Sequence, residues 1–108
     1  MAIILPPRVP ELGFYYHHKH NPSGPVNNYA YEVLGVSFDT ERDGVWHVTY
    51  RPLYETAGVY QASLTLGVPC FDSRPLEMWF DEVEKDGVKM PRFTKIIDPE
   101  ILAQLDWA

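Results

Sequence analysis

The stretch Trp46-His47-Val48-Thr49-Tyr50-Arg51 constrains the fold most, because it alternates strictly. Trp46, Val48 and Tyr50 fall on one face of an extended chain, and His47, Thr49 and Arg51 on the other. One such strand cannot bury its apolar face alone, so its neighbours must supply others. Asp43-Gly44, just upstream, marks a turn into it from a second strand, Tyr29 to Phe38, which is apolar on both faces at Val33, Leu34 and Val36. Phe14 to His20 reads as a third, aromatic strand. Tyr60, Ala62, Leu64 and Leu66 alternate with Gln61, Ser63 and Thr65 and predict a further one. Asp86-Gly87 predicts a hairpin between Phe80–Glu84 and Val88–Lys95.

Helix signals are few. Pro75 could open a single turn carrying Leu76, Trp79 and Phe80. At the C-terminus Asp98 suits an N-cap, Pro99 the first helical position and Glu100 the positive end of the helix dipole. Ile101, Leu102 and Leu105 would dock that helix on the sheet. Asn21 to Asn28 is dense in turn formers. Residues 1–12 hold Pro6, Pro7 and Pro10 and predict an extended, weakly packed arm, leaving residues 13–108 as one mainly β domain.

Composition narrows the function classes. With 108 residues, 45% of them hydrophobic and 14% aromatic, the chain can build one packed core. A net charge of −6 argues against general nucleic-acid binding and against adhesion to an anionic membrane, both of which need a basic face. Cys70 is the single cysteine, so no internal disulfide forms, which fits a cytoplasmic location. Met1 to Leu5 is too short for a signal-peptide core before Pro6-Pro7, and no run reaches membrane-spanning length.

Six short motifs in a fixed order carry a resemblance. They are Tyr16 with His18 and Lys19; Tyr31-Glu-Val-Leu34; Thr40-Glu41; Val48 and Tyr50-Arg51 through Leu53-Tyr54; Arg74-Pro-Leu-Glu-Met78 with Phe80; and Pro91-Arg-Phe93. Over roughly residues 13–97 the chain resembles the small bacterial family known as domain of unknown function 1653. Asn21–Asn28 and Gln61–Asp72 look longer than that family's usual connections, Trp79 is inserted before the phenylalanine, and a histidine often found before the Thr-Glu turn is Phe38 or Asp39 here. The resemblance implies an SH3-like, strongly bent small β-barrel. It implies no activity.

Arg51, Arg74 and Arg92 each end or interrupt an apolar strand. A guanidinium there offers planar donors for a carboxylate or phosphate. If the three converge, they form an anion site walled by Tyr16, Tyr50 and Tyr54, with His18 nearby. The simpler reading is that each pairs with Glu41, Glu77 or Glu32, or caps a carbonyl. His18 and His20 would share a face if the strand ran that far, a spacing that can chelate, but no third ligand is evident and no metal is expected. Cys70, between Val68-Pro69 and Phe71, reads as packing rather than as a nucleophile with His18 as base. Glu77/Asp81 and Glu82/Glu84 read as a wet face rather than an acid–base couple. Trp46 and Trp79 are expected in the core. Tyr15, Tyr29 and Tyr60 are candidates for an aromatic groove.

These readings predict a non-enzymatic binding module for a small anionic ligand or a protein partner, without cofactor. A nucleotide or nucleic-acid binder is the alternative, with rings stacking on bases and arginines on phosphates. An enzyme of unknown reaction comes third.

Overall fold

The computed structural model describes residues 3–105. Among them the elements run β1 (Gly13–His17), β2 (Ala30–Phe38), β3 (Trp46–Pro52), α1 (Gly58–Leu66), β4 (Asp72–Pro75), α2 (Leu76–Trp79), β5 (Glu82–Lys85), β6 (Val88–Pro91), β7 (Phe93–Lys95) and α3 (Pro99–Leu105). Five strands form one antiparallel sheet in the order β4-β3-β2-β1-β7, and β5 and β6 form a separate hairpin. The mainly β class holds. The expected barrel closure does not, because β4 and β7 are the two edges of the large sheet and do not pair with each other.

The alternation in β3 sets the two faces. Val48 and Tyr50 are buried and Trp46 is half-buried on the same side, while His47, Thr49 and Arg51 occupy the other. Val33 lies opposite Tyr50 and Val36 opposite Val48, although the two valines are three residues apart. A bulge between Val33 and Gly35 makes this work: it sets exposed Leu34 outside the pairing and returns Val36 to the core side. That bulge explains why β2 looks apolar on both faces in sequence.

One face of the sheet carries Tyr15, Val33, Val48, Tyr50 and Phe93, covered by Leu76 and Trp79 of α2. Trp79 stacks on Phe93 at 4.1 Å and meets Tyr15 and Tyr50 edge-on. Burying such side chains is the main stabilising term, about 1.5–3 kcal/mol each. The other face buries Ala30, Leu53, Ile96 and Leu105, with Phe14, Tyr16, Ile101 and Leu102 packed around them, so α3 docks as its sequence predicts. At its start the Glu100 N–H donates to Asp98 Oδ1 at 2.9 Å. The Asp86-Gly87 hairpin also forms, with both residues at positive φ (52° and 77°) as a tight two-residue turn requires.

Residues 58–66 are a helix, not the expected strand. The chain leaves β3 at Pro52 and returns to pair with it only at β4, so residues 60–66 form the connection between two paired strands. Gly67, at φ 72°, ends the helix, its N–H donating to the Ser63 carbonyl at 3.0 Å. None of the helical side chains is fully buried; Val59, Tyr60, Ala62 and Ser63 are half-buried at helical spacing, a stripe only one turn long and too polar to be read as a period. Residues 3–12 have no regular structure and run past the α2 end of the sheet, where the Trp46 indole N–H donates to the Ile4 carbonyl at 2.9 Å and Arg8 sits 3.5 Å over the Phe80 ring. Trp107 lies outside the described residues.

Candidate functional site

Strand register decides which of the expected residues meet. Arg74 lies directly opposite buried Val48, and Asp72 opposite Tyr50, so both point to the α2-covered face. His17 lies opposite Phe93 on that same face. Arg51 and Tyr16 point to the other. Arg51 is thereby separated from Arg74, while Arg92, in the bend between β6 and β7, bears on the same His17 ring as Arg74 does.

Arg51 has the structural arrangement foreseen for it. Its Nε and Nη2 both donate to Glu32 Oε1 at 2.7 Å, across the β2–β3 pair. Tyr16 donates its hydroxyl to the Val26 carbonyl at 2.5 Å and stacks on His20 at 3.5 Å. Both residues tie the α3 side of the molecule together.

Arg74 and Arg92 are different. Arg74 lies 5.7 Å from the Phe93 ring centre, next in sequence to Arg92. Among the described residues neither makes an ion pair, and the Nε of each is shielded from solvent without a hydrogen-bond partner. The same holds for His18 Nδ1. The His18 backbone N–H donates to the Arg92 carbonyl at 2.9 Å, which fixes the turn after β1 beside Arg92. Orphaned donors of this kind are uncommon and cost stability, more so on a charged group.

The surroundings are cationic and aromatic. Burial pushes His17 down to about 4, helped by His18, Arg92, Lys19 and Arg74. Its Nδ1 accepts from the Lys19 N–H at 3.2 Å, which places the proton of the neutral ring on Nε2. His18 is also lowered, by desolvation and then by Arg92, Lys19 and Lys85. Around these lie Phe93, edge-on to His17 at 5.2 Å, and Tyr29, stacked against it at 5.8 Å. Tyr29 is exposed and held at φ 50°, a conformation a tyrosine rarely adopts. Tyr54 tilts against Tyr29 and shares a 2.5 Å hydroxyl contact with Tyr31. Asp72 is the acidic member: desolvation raises its carboxyl, and Arg74 opposes the rise. Desolvation likewise raises Tyr50, with Arg74 again opposing.

The expected residues thus divide. Arg74 and Tyr50 lie on the α2-covered face, Tyr54 meets Tyr31, and the His18 ring lies 4.2 Å from that of His17; Arg51 and Tyr16 lie on the other face. Sequence reasoning missed His17 and Asp72. The period-two signal was present for both, since His17 is two residues from Tyr15 and Asp72 two from Arg74. In the aromatic groove reading, Tyr29 alone is exposed; Tyr15 is buried and Tyr60 lies on α1. His18 and His20 do not share a strand face, because β1 ends at His17 and His20 turns away to stack on Tyr16. Among the described residues no three His, Cys, Asp or Glu side chains gather. Cys70 is half-buried with Sγ 3.6 Å from the Val68 carbonyl, and Glu77, Asp81, Glu82 and Glu84 are exposed.

Two open cavities lie elsewhere. One, of about 500 Å³, runs between the 3–12 segment and Trp46, Leu76 and Phe80. The other, of about 540 Å³, lies between α3 and the β1–β7 edge, lined by Phe14, Lys95 and Leu102. No helix of the described residues is long and apolar enough to cross a membrane.

No curated protein matches this chain. It is similar to a crystal structure of a protein of unknown-function family DUF1653 from Bordetella bronchiseptica, with a TM-score of 0.56 and 26% identity over 82% of this chain and 92% of that one. The family model described as "Protein of unknown function (DUF1653)" matches residues 13–95, which takes in the whole large sheet and every residue of the Arg74–Arg92 cluster, and the chain belongs to that family.

Proposed function

We propose that this domain is a binding module for a small anionic ligand, held at the Arg74–Arg92–His18 cluster. One observation carries this reading: two guanidinium Nε atoms and His18 Nδ1 are shielded from solvent with no hydrogen-bond partner among the described residues. A carboxylate or phosphate placed between the arginines would accept from both and remove the cost of leaving them unpaired. Asp72 shares a face with Arg74; desolvation raises its carboxyl above the usual range and Arg74 opposes the rise. Tyr29 and Tyr54 supply a wall on which the body of such a ligand could lie.

The neutral state of His17 supports binding rather than proton transfer as the site's task. A ring lowered to about 4 is a weak base at neutral pH. Its Nε2–H is a donor without charge, suited to ordering an anion beside the two cations. The net charge of −6 makes a local site for a small anion a better fit than an extended nucleic-acid track.

A thermal-shift series with phosphate, sulfate, citrate and nucleoside monophosphates tests the proposal. A ligand that binds only the folded state raises the unfolding midpoint in proportion to its concentration over Kd. At least one of these anions should do so, and Arg74→Met should abolish the effect. A midpoint unmoved by all of them, at matched ionic strength, contradicts the reading.

A further inference from the structure

The segment Ile3-Ile-Leu-Pro-Pro-Arg-Val-Pro10 lies ahead of the residues that the family model matches and runs past the α2 end of the sheet. We propose that the groove it covers, between Trp46 and Phe80, is a recognition groove for an extended, proline-rich segment bearing a basic residue, and that residues 4–8 are its occupant in cis.

Two contacts define what the groove reads. The Trp46 indole N–H donates to the Ile4 carbonyl at 2.9 Å, a bond to backbone that any extended chain can offer. Arg8 lies 3.5 Å over the Phe80 ring, which is a seat for a cation. Between these contacts stand Pro6 and Pro7. Each proline fixes its own φ and keeps the residue before it extended, so little conformational freedom is lost on docking. Charge agrees with the occupant. Glu77 lines the same cavity as Arg8, and a body of net charge −6 attracts a basic segment and repels an acidic one.

The arm fills its groove incompletely, which makes it a replaceable occupant. Residues 3–12 make no backbone–backbone hydrogen bond among the described residues. Ile4 and Leu5 stay 66% and 75% exposed, while about 500 Å³ of open space remains between the arm and Trp46, Leu76 and Phe80. Firm attachment begins at Pro10, which is buried, and at Glu11, whose carbonyl accepts from the Tyr15 hydroxyl at 2.8 Å and whose carboxylate pairs with Lys95. A short tether holds even a weak ligand in place, because it sets an effective concentration of about millimolar. A free segment of the same chemistry competes once its concentration approaches that value, and sooner if its side chains use the open space. None of the residues lining the groove belongs to the Arg74–Arg92 cluster, so the two sites stand or fall separately.

Nuclear magnetic resonance of the indole N–H groups in the full chain tests this, with the Trp46 signal assigned by its loss in Trp46→Phe. The probes are a free peptide copying residues 3–10 and the same peptide with its arginine replaced by glutamate. Each is added to the wild-type chain and to Arg8→Glu, which takes the cation off Phe80 and sets a second acid beside Glu77. Arg8 is exposed, so this variant should keep the wild-type circular dichroism. The arginine peptide should move the Trp46 signal saturably, and should bind Arg8→Glu at least about fivefold more tightly than the wild type, because the arm no longer competes. The glutamate peptide should bind either protein at least about fivefold more weakly. Should Arg8→Glu fail to fold, the two peptides on the wild type decide. A Trp46 signal that the arginine peptide leaves unmoved, equal binding of the two peptides, or an affinity that Arg8→Glu does not raise overturns the proposal. A signal that moves with protein concentration and not with peptide assigns the groove to a second copy and overturns it too.

Discussion

Arg51 and Arg74 stand on opposite faces of one sheet, although they belong to neighbouring strands. Arg74 is opposite Val48 in the β3–β4 pair, and Arg51 is three residues on from Val48, an odd step that turns it to the other side. The partners follow from the faces. Arg51 finds Glu32 across β2, and Arg74 finds aromatic rings and no carboxylate within ion-pair distance.

Arg51→Met should therefore behave as a structural lesion. It leaves half-buried Glu32 without its donor and removes a charge-assisted hydrogen bond, a loss of about 1–2 kcal/mol given the partial exposure of the pair. Urea denaturation should show that loss, while the response of the midpoint to anions stays as in the wild type.

Asp98→Ala should cost about 1 kcal/mol, because it removes the acceptor of the Glu100 N–H at the start of α3. The cost should reach the α3-side core, where Leu105 is fully buried, and so appear in global unfolding rather than as local fraying. Equal denaturation curves for variant and wild type would show that α3 does not depend on its cap.

Acid should weaken the fold through His17. Its folded value, about 4, lies below the ordinary histidine value of 6.5, so between these the unfolded chain binds the proton and the native ring does not. Stability conferred by the neutral ring is complete above pH 6.5 and is lost as pH falls toward 4. Asp72, raised by desolvation, acts in the opposite sense, so the signal is the difference between wild type and His17→Gln. The variant should lose less stability than the wild type on moving from pH 7 to pH 4.5. A difference that does not change with pH would contradict the assigned burial of His17.

Particular residues show what was legible in the sequence. The faces of β3, the Asp86-Gly87 turn and the Asp98-Pro99 helix start are local patterns, and each is read within a few residues. The helix at 58–66 was hidden because its inward stripe, Val59, Tyr60, Ala62 and Ser63, is only half-buried and one turn long, while the alternation of Tyr60, Ala62, Leu64 and Leu66 mimics a strand. That β4 rather than this segment pairs with β3 is a nonlocal fact. The site was half legible for the same reason. That arginines beside aromatics mark it could be read from composition, but which arginines share a face depends on the register between strands separated by α1. His17 opens the run His17-His18-Lys19-His20, which hides it, although its spacing from Tyr15 places it on the core side.

The central claim is that Arg74 and Arg92, and not Arg51, hold an anion. Isothermal titration of inorganic phosphate into four proteins at constant ionic strength addresses it directly: wild type, Arg51→Met, Arg74→Met and Arg92→Met. The account predicts one-to-one binding of equal affinity to wild type and Arg51→Met, and a loss of at least about tenfold, or 1.4 kcal/mol, in each of the other two. Absence of binding to the wild type, or an affinity that falls with Arg51→Met as much as with Arg74→Met, would contradict it.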